Sequence, residues 1–437
     1  MKRFSFLLGL IVASGFLSAP AWAAEKKVEP KPRFAVTAVA ERAGALYRRG
    51  ESVTFVVEIR DEGAVVESGE IEWTLTKDGV GQTRTGRAPI SRGRATVTGT
   101  LDEAGFLQCR VTYQAGQTKV TALGGAGISP LEIKPSAPAP ADFDAFWTAK
   151  KKLLAAVPLN ARLTPVKSPQ ENVETFDVQA DSVGTPISGY FARPTGAKLR
   201  GLPAILTVHG AGVSSSNLRT AAAWAKEGAL ALDLNAHGLP NGREKAFYDA
   251  LAAGELKDYR VRGRDSRETI HFLGMFMRLV RAIDFLTAQP EWDGRTVVVS
   301  GSSQGGAQAI AAAGLDPRVT FFAAGVPAMC DHTGQLVGRI AGWPKFIPTK
   351  ENPPPADVVA AVRYYDGVNF AARTKAPGFF TVGFIDATCP PTSVYAAYNA
   401  LRAPKDIFND VRAGHTNTPA AGAAMRAAIQ RHFAAMR

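Results

Sequence analysis

Residues 296–306 read Thr-Val-Val-Val-Ser-Gly-Ser-Ser-Gln-Gly-Gly, which sets Gly301, Ser303 and Gly305 in a Gly-x-Ser-x-Gly pattern. A β-branched apolar run leads into the motif, and an alanine-rich stretch of helical character continues from it to about residue 313. Strand, serine-bearing turn and helix together make a nucleophile elbow. The flanking glycines let strand and helix approach closely while the Ser303 side chain projects clear of the backbone. The first turn of the helix supplies unpaired N–H groups and the positive end of its dipole, which favour a developing oxyanion. Gly-x-Ser-x-Gly alone is common in Gly/Ser loops. Its position between a strand and a helix makes it informative, and it predicts an α/β fold.

The surrounding chain follows the same alternation. Apolar strands are expected at 203–208, 229–234, 319–326 and 378–384, and helices at 142–154, 218–226, 267–287 and 420–436. Apolar strands separated by amphipathic helices predict a doubly wound, mostly parallel sheet covered on both faces. Residues 33–134 read differently. Short β-branched segments at 33–40, 52–59, 70–76, 94–101, 105–113 and 118–123 alternate with turns and show no helical period. That pattern predicts a smaller immunoglobulin-like antiparallel β-sandwich. It contains only Cys109, so the inter-sheet disulfide of antibody domains is excluded. A Pro/Ala-rich segment at 135–141 reads as a stiff linker. The expected division is a signal peptide at 1–23, an accessory sandwich at 24–136 and a catalytic domain at 137–437.

Composition narrows the function. Of 437 residues, 46% are hydrophobic and 21% charged, which is globular rather than disordered or fibrous. Lys2 and Arg3, an apolar run over 4–17 and Ala21-Trp22-Ala23 form the charge, core and exit of a secretory leader. A bilayer span needs about 18 or more unbroken apolar residues, and neither this run nor any later one reaches that. The expectation is an exported, periplasmic or extracellular protein without a membrane partner. The formal charge of +12 is dispersed and lacks aromatics interleaved with cations, so no nucleic-acid partner is expected. Cys109, Cys330 and Cys389 are scattered, and no two of the six histidines lie three to five residues apart. No metal and no cofactor are therefore expected. Cys330 and Cys389 could pair with each other, leaving Cys109 free.

A nucleophilic serine needs a base, and the base needs an orienting carboxylate. In elbow-type hydrolases the chain order is Ser, then acid, then His. His332, His415 and His432 follow Ser303. His432 falls within the last helix and His332 precedes every suitable acid. His415, in the loop Arg412-Ala413-Gly414-His415, is the base of choice. Asp386 ends the strand at 378–385, where side chains reach the cleft. Asp406 and Asp410 read as exposed charges. Two backbone donors should form the oxyanion hole: Gln304, directly after the nucleophile, and Ala211, in the loop His209-Gly210-Ala211-Gly212. His209 is expected to hold that loop. His237, at another strand end, is a candidate substrate contact, and the arginines of 259–267 are expected in structural ion pairs or along the cleft.

Four strings carry a resemblance: 141–147 (Ala-Asp-Phe-Asp-Ala-Phe-Trp), 203–210, 301–306, and 386–399 beginning Asp-Ala-Thr-Cys-Pro-Pro. With these, residues 137–437 resemble carbohydrate esterase family 7, the acetyl xylan esterases and cephalosporin C deacetylases of the α/β-hydrolases. The sandwich is an addition to that architecture. The resemblance implies Ser303, Asp386 and His415 as nucleophile, acid and base, and hydrolysis of acetyl esters on xylan-type oligosaccharides through an acyl-enzyme without a cofactor. The chain departs from the family pattern at Asn235-Ala236-His237-Gly238, where Arg-Gly-Gln is usual, at Ala211, where tyrosine is common, and at Thr416, where glutamate usually follows the base. The competing readings are a serine peptidase or other acyl hydrolase on this fold, or an inactive carbohydrate-binding protein.

Overall fold

Nine strands make up the first sheet of the computed structural model, which describes residues 33–348 and 353–437. The leader at 1–23 and the expected start of the mature chain lie outside the described residues. In chain order the strands are β1 (Phe34–Ala40), β2 (Leu46–Tyr47), β3 (Val53–Asp61), β4 (Ala64–Val65), β5 (Ser68–Lys77), β6 (Val80–Ser91), β7 (Arg94–Gly99), β8 (Gly105–Ala115) and β9 (Thr118–Ile128). They pair in the order β1-β3-β7-β6-β5-β8-β9-β2, with β4 on β3, and only β2–β9 is parallel. β6 and β7 share one paired position, Ser91 with Arg94, so the sheet folds over at that corner. The fold brings β1 against β9: a Cβ on Gly124 would stand 2.8 Å from the Ala38 carbonyl oxygen. Side chains alternate accordingly, with Val53, Phe55, Val57 and Ile59 of β3 buried inside and the intervening residues turned outward. The sequence pattern does not reveal β6. Its Gly81, Gly86, Pro89 and Arg87 break any apolar alternation, and pairing along β5 holds it as a strand.

The second sheet comprises β10 (Arg162–Val166), β11 (Val173–Ala180), β12 (Ile187–Pro194), β13 (Leu202–Val208), β14 (Leu230–Leu234), β15 (Trp292–Ser302), β16 (Phe321–Gly325), β17 (Gly378–Gly383) and β18 (Lys405–Asp410). The order is β10-β11-β12-β14-β13-β15-β16-β17-β18, parallel from β14 onward and antiparallel at the β10–β12 edge. Strand periodicity sorts the apolar residues onto two faces. Ala204, Leu206, Val297, Val299, Phe322 and Phe380 join the core that includes helices Phe272–Thr287 and Gln304–Leu315. Ile205, Val298, Ala323 and Phe379 face the other way, onto helices Leu218–Lys226 and Pro419–Met436. This is the α/β-hydrolase arrangement.

Two differences from the sequence reading have local causes. Strands β10–β12 carry polar residues among their apolar ones, and no helix separates them, so they lack the continuous apolar signature. The helix expected from 267 begins at Phe272, because the preceding backbone bonds elsewhere. The Tyr365 hydroxyl donates to the Arg267 carbonyl at 2.6 Å, and His271 N–H donates to Arg262 O at 3.1 Å. Residues 34–437 form one compact unit, and the Pro/Ala-rich segment within it is tied down. Ser136 N–H donates to Asp331 at 2.7 Å, and Arg363 donates to Pro138 O.

Candidate active site

Ser303 stands between β15 and helix Gln304–Leu315 with φ 58° and ψ −121°. A non-glycine residue there carries about 1–3 kcal/mol of strain, so its surroundings must over-determine it. They do. Ser303 N–H donates to Gly325 O at 2.8 Å, and Ser303 O accepts from Ala307 and Ala328. The flanking glycines are obligatory: a Cβ on Gly305 would lie 2.3 Å from Val208 O, and one on Gly301 would lie 2.6 Å from the same atom.

Asp386 follows β17 and is 2% exposed. Its Oδ1 accepts from Thr388 N–H at 2.8 Å and Cys389 N–H at 2.9 Å, which fixes the carboxylate and leaves Oδ2 for one further partner. That partner is His415 Nδ1 at 2.8 Å, and His415 Nε2 is 2.8 Å from Ser303 Oγ. Serine, imidazole and carboxylate thus form one continuous hydrogen-bonded chain. The His415 loop is stitched to its surroundings by Asn417, which donates to Ser302 Oγ at 2.6 Å and accepts from Thr381 Oγ1 at 2.5 Å. The other candidates lie elsewhere. His332 is fully buried against Phe346, and His432 contacts Thr320 and Phe321. Asp406 is exposed, whereas Asp410 accepts from Thr418, the N-cap of helix Pro419–Met436.

The loop carrying Ala211 lies against the elbow, since a Cβ on Gly210 would be 3.8 Å from that of Ser303. His209 holds it as expected: its Nε2 accepts from Ala236 N–H at 3.1 Å and its Nδ1 donates to Gly210 O at 2.7 Å. Burial keeps this imidazole neutral by lowering its pKa. Tyr259 adds a bridge that sequence reading missed. Its hydroxyl accepts from Gly212 N–H at 3.2 Å and donates to Gln304 Oε1 at 2.9 Å, joining the two segments that offer Ala211 and Gln304. Gly212 N–H is thereby taken, and Ala211 remains exposed.

His237 does not contact the open cleft as the sequence reading expected. It is 4% exposed. Its Nε2 donates to Gly212 O at 3.1 Å, and its Nδ1 is 3.2 Å from His271 Nε2. Burial lowers His237 to about 3 and His271 to about 4, so both are neutral and available for these bonds. With both ring nitrogens engaged, His237 has no polar atom for a substrate; it supports the loop from behind. Three arginines of 259–267 turn to protein: Arg262 and Arg264 donate to the carbonyls of Glu255 and Phe346, and Arg267 pairs with Asp142 at 2.6 Å, while Arg260 is exposed.

All three cysteines are buried and unpaired. Ligand atoms of Asp386, Cys389 and His415 lie within 4.8 Å of one another, the one such His/Cys/Asp/Glu group among the described residues. Asp386 and His415 are committed to each other there. Burial pushes the Cys389 thiol well above its ordinary pKa, so it stays protonated beside Asp386 and His415.

A model of the acetyl xylan esterase (AXE1) family matches residues 131–426, a span that includes Ser303, Asp386 and His415. The chain belongs to the acetyl xylan esterase family. This makes it a carboxylic ester hydrolase, for which an acetylated carbohydrate is a fitting substrate. The esterase is 34% identical over 381 residues to the acetyl esterase Axe7A of Xylanibacter ruminicola, covering 84% of each chain. Among solved structures it is similar to the acetyl xylan esterase from Paenibacillus sp. R4, at 27% identity and TM-score 0.59, covering 69% of this chain and 98% of that one. Acetyl xylan esterase 1 from Thermoanaerobacterium sp. JW/SL YS485 shares the fold, at 23% identity and TM-score 0.57, over 69% and 96% of the two chains.

Proposed function

We propose that this esterase removes acetyl groups from acetylated xylan-type oligosaccharides by serine catalysis through an acyl-enzyme, and that it acts outside the cytoplasm. The observation that carries the mechanism is His415, whose two ring nitrogens are each 2.8 Å from their partners, Ser303 Oγ and Asp386 Oδ2. In this reading His415 takes the Ser303 proton as the hydroxyl attacks the acetyl carbonyl. Asp386 holds the imidazole in the tautomer that leaves Nε2 free to accept, and stabilises the imidazolium that forms. The N–H groups of Ala211 and Gln304 receive the oxyanion, aided by the N-terminus of helix Gln304–Leu315. Collapse of the tetrahedral intermediate releases the sugar alcohol, which takes the proton from His415. Water, activated by the same imidazole, then frees acetate.

The charged start at Lys2 and Arg3, the apolar 4–17 run and Ala21-Trp22-Ala23 support export. Among the described residues no helix is long and apolar enough to cross a membrane.

Acetate release measured across a panel of acetylated oligosaccharides, with labelling by an organophosphonate, tests the proposal. Native protein should label at Ser303, and Ser303→Ala should lose both labelling and acetate release. A native protein that neither labels nor releases acetate would sink the serine-esterase reading. Cleavage of aminoacyl anilides in place of acetyl esters would favour a peptidase.

A further inference from the structure

The N-terminal β-sheet meets the catalytic part where the proposed acid is held. Phe384, two residues before Asp386, sits against β8 and β9: its ring is edge-on to Phe106 at 4.9 Å. A Cβ on Gly125 would lie 2.5 Å from the Phe384 carbonyl oxygen, so β9 approaches that backbone as closely as glycine allows. On the far side of the Asp386 loop, Thr392 opens helix Pro391–Ala400, and its buried hydroxyl donates to Asp78 in the β5–β6 turn. Asp78 and Phe106 form one corner, since Asp78 N–H donates to Phe106 O at 2.8 Å. The distal end of the same helix is also secured, with Asn399 donating to Pro130 O and Ile133 O at 2.9 Å. The loop from Ile385 to Pro390 is thus suspended between two points, both resting on the N-terminal sheet. Ile385 N–H also donates to Ala413 O at 3.2 Å, so the His415 loop takes its position from the same strand end.

From this placement we infer that the N-terminal sheet is a brace for the catalytic acid: Phe384 and Thr392 are positioning residues through which β8, β9 and the Asp78 turn set the Asp386–His415 contact. This rests on the reading of Asp386 as the acid of the triad. The β1–β9 unit is on this account part of the active-site scaffold instead of a separable sugar-binding module.

The test uses the full chain. Gly125→Ala forces a Cβ against Phe384 O, Asp78→Asn weakens the acceptor for Thr392, and Gly44→Ala, with open space around it, is the control. Each is assayed for kcat and KM on p-nitrophenyl acetate, for melting temperature, and for the downfield proton NMR signal of the His415 Nδ1–H bonded to Asp386. The expected result is a kcat loss of about 10- to 100-fold in Gly125→Ala, a KM within about twofold, and a weakened or shifted downfield signal. Asp78→Asn should show a smaller change of the same kind, and Gly44→Ala none. If Gly125→Ala does not fold, Phe106→Leu replaces it as the milder perturbation of the same contact. Variants that melt earlier yet keep native kcat and the native signal would overturn the brace. So would unchanged kcat with loss of activity confined to polymeric substrate. Absence of Ser303 labelling in the native protein would instead remove the triad itself, which keeps the two failures apart.

Discussion

Asp386 Oδ2 and His415 Nδ1 stand 2.8 Å apart, although 29 residues of chain separate them and Asp386 is buried while the His415 side chain is 27% exposed. The buried partner is immobile, its other oxygen held by two backbone amides, so the carboxylate dictates the imidazole tautomer. Asp386→Asn keeps the shape but offers an amide where Nδ1–H must donate, which favours the wrong tautomer. We expect kcat to fall on the order of 10⁴-fold, with a melting temperature close to native. Steady-state kinetics and a thermal melt on the same preparation check this.

Tyr259 joins the loop of Ala211 to the elbow by one hydroxyl. Tyr259→Phe would leave Gly212 N–H and Gln304 Oε1 without that partner while preserving the ring packed on His237 at 4.6 Å. The expected outcome is a kcat roughly 10-fold lower at nearly unchanged KM, because misplaced donors affect the oxyanion more than the bound ester. A KM increase with kcat intact would contradict this.

Glycine-to-alanine changes should have opposite signs at two positions. Gly305→Ala places a Cβ 2.3 Å from a backbone oxygen that cannot move without β13, so loss of soluble, folded protein is expected. Gly422 is exposed in helix Pro419–Met436 with nothing within 4 Å of its Cβ position. Gly422→Ala should stabilise by about 0.5–1 kcal/mol through reduced backbone freedom in the unfolded chain. Soluble yield reports the first and the urea unfolding midpoint the second.

His332 should govern part of the acid sensitivity of folding. Burial lowers it to about 3, and both ring nitrogens lack a hydrogen-bond partner. Its folded pKa is below the ordinary 6.5, so the unfolded chain binds the extra proton between those values. Stability is therefore full above about pH 6.5 and declines as pH falls, by roughly 1.4 kcal/mol per unit. Asp366, which accepts from His332 N–H, is raised by burial to about 6 and has the opposite sign, losing stability as pH rises from about 4 to 6. His332→Phe, which retains an aromatic ring beside Phe346, should remove the first effect and leave the second. The melting temperature at pH 5 should then rise relative to that at pH 7.5, compared with the native chain; an unchanged difference would refute the assignment.

Much of the catalytic sheet was legible because its strands are uniformly apolar and separated by helices, a contrast of period that survives in single-chain reading. Leu218–Lys226 was readable to its ends, with Asn217 capping it through Arg219 and Thr220 N–H. Strands β6 and β10–β12 were not, since polar residues, and in β6 glycines and a proline, hide the strand period until partner strands are present. The start of the 272–287 helix was misread for a related reason: helical spacing continues through 267–271, but Tyr365 and Arg262 capture the backbone groups there.

The sequence by itself determined the chemical inventory: a serine in a turn that only glycine neighbours permit, a histidine in a glycine-turned loop, and an aspartate at a strand end. Local pattern encodes these because strand, turn and helix depend on residues a few positions apart. The tertiary structure alone decided that Ser303 and His415, 112 residues apart, meet at 2.8 Å, that His237 faces protein, and that Asp78 and Gly125 reach the acid loop. Contacts of that range arise from packing two layers against a sheet, where each position depends on the volume of residues remote in the chain.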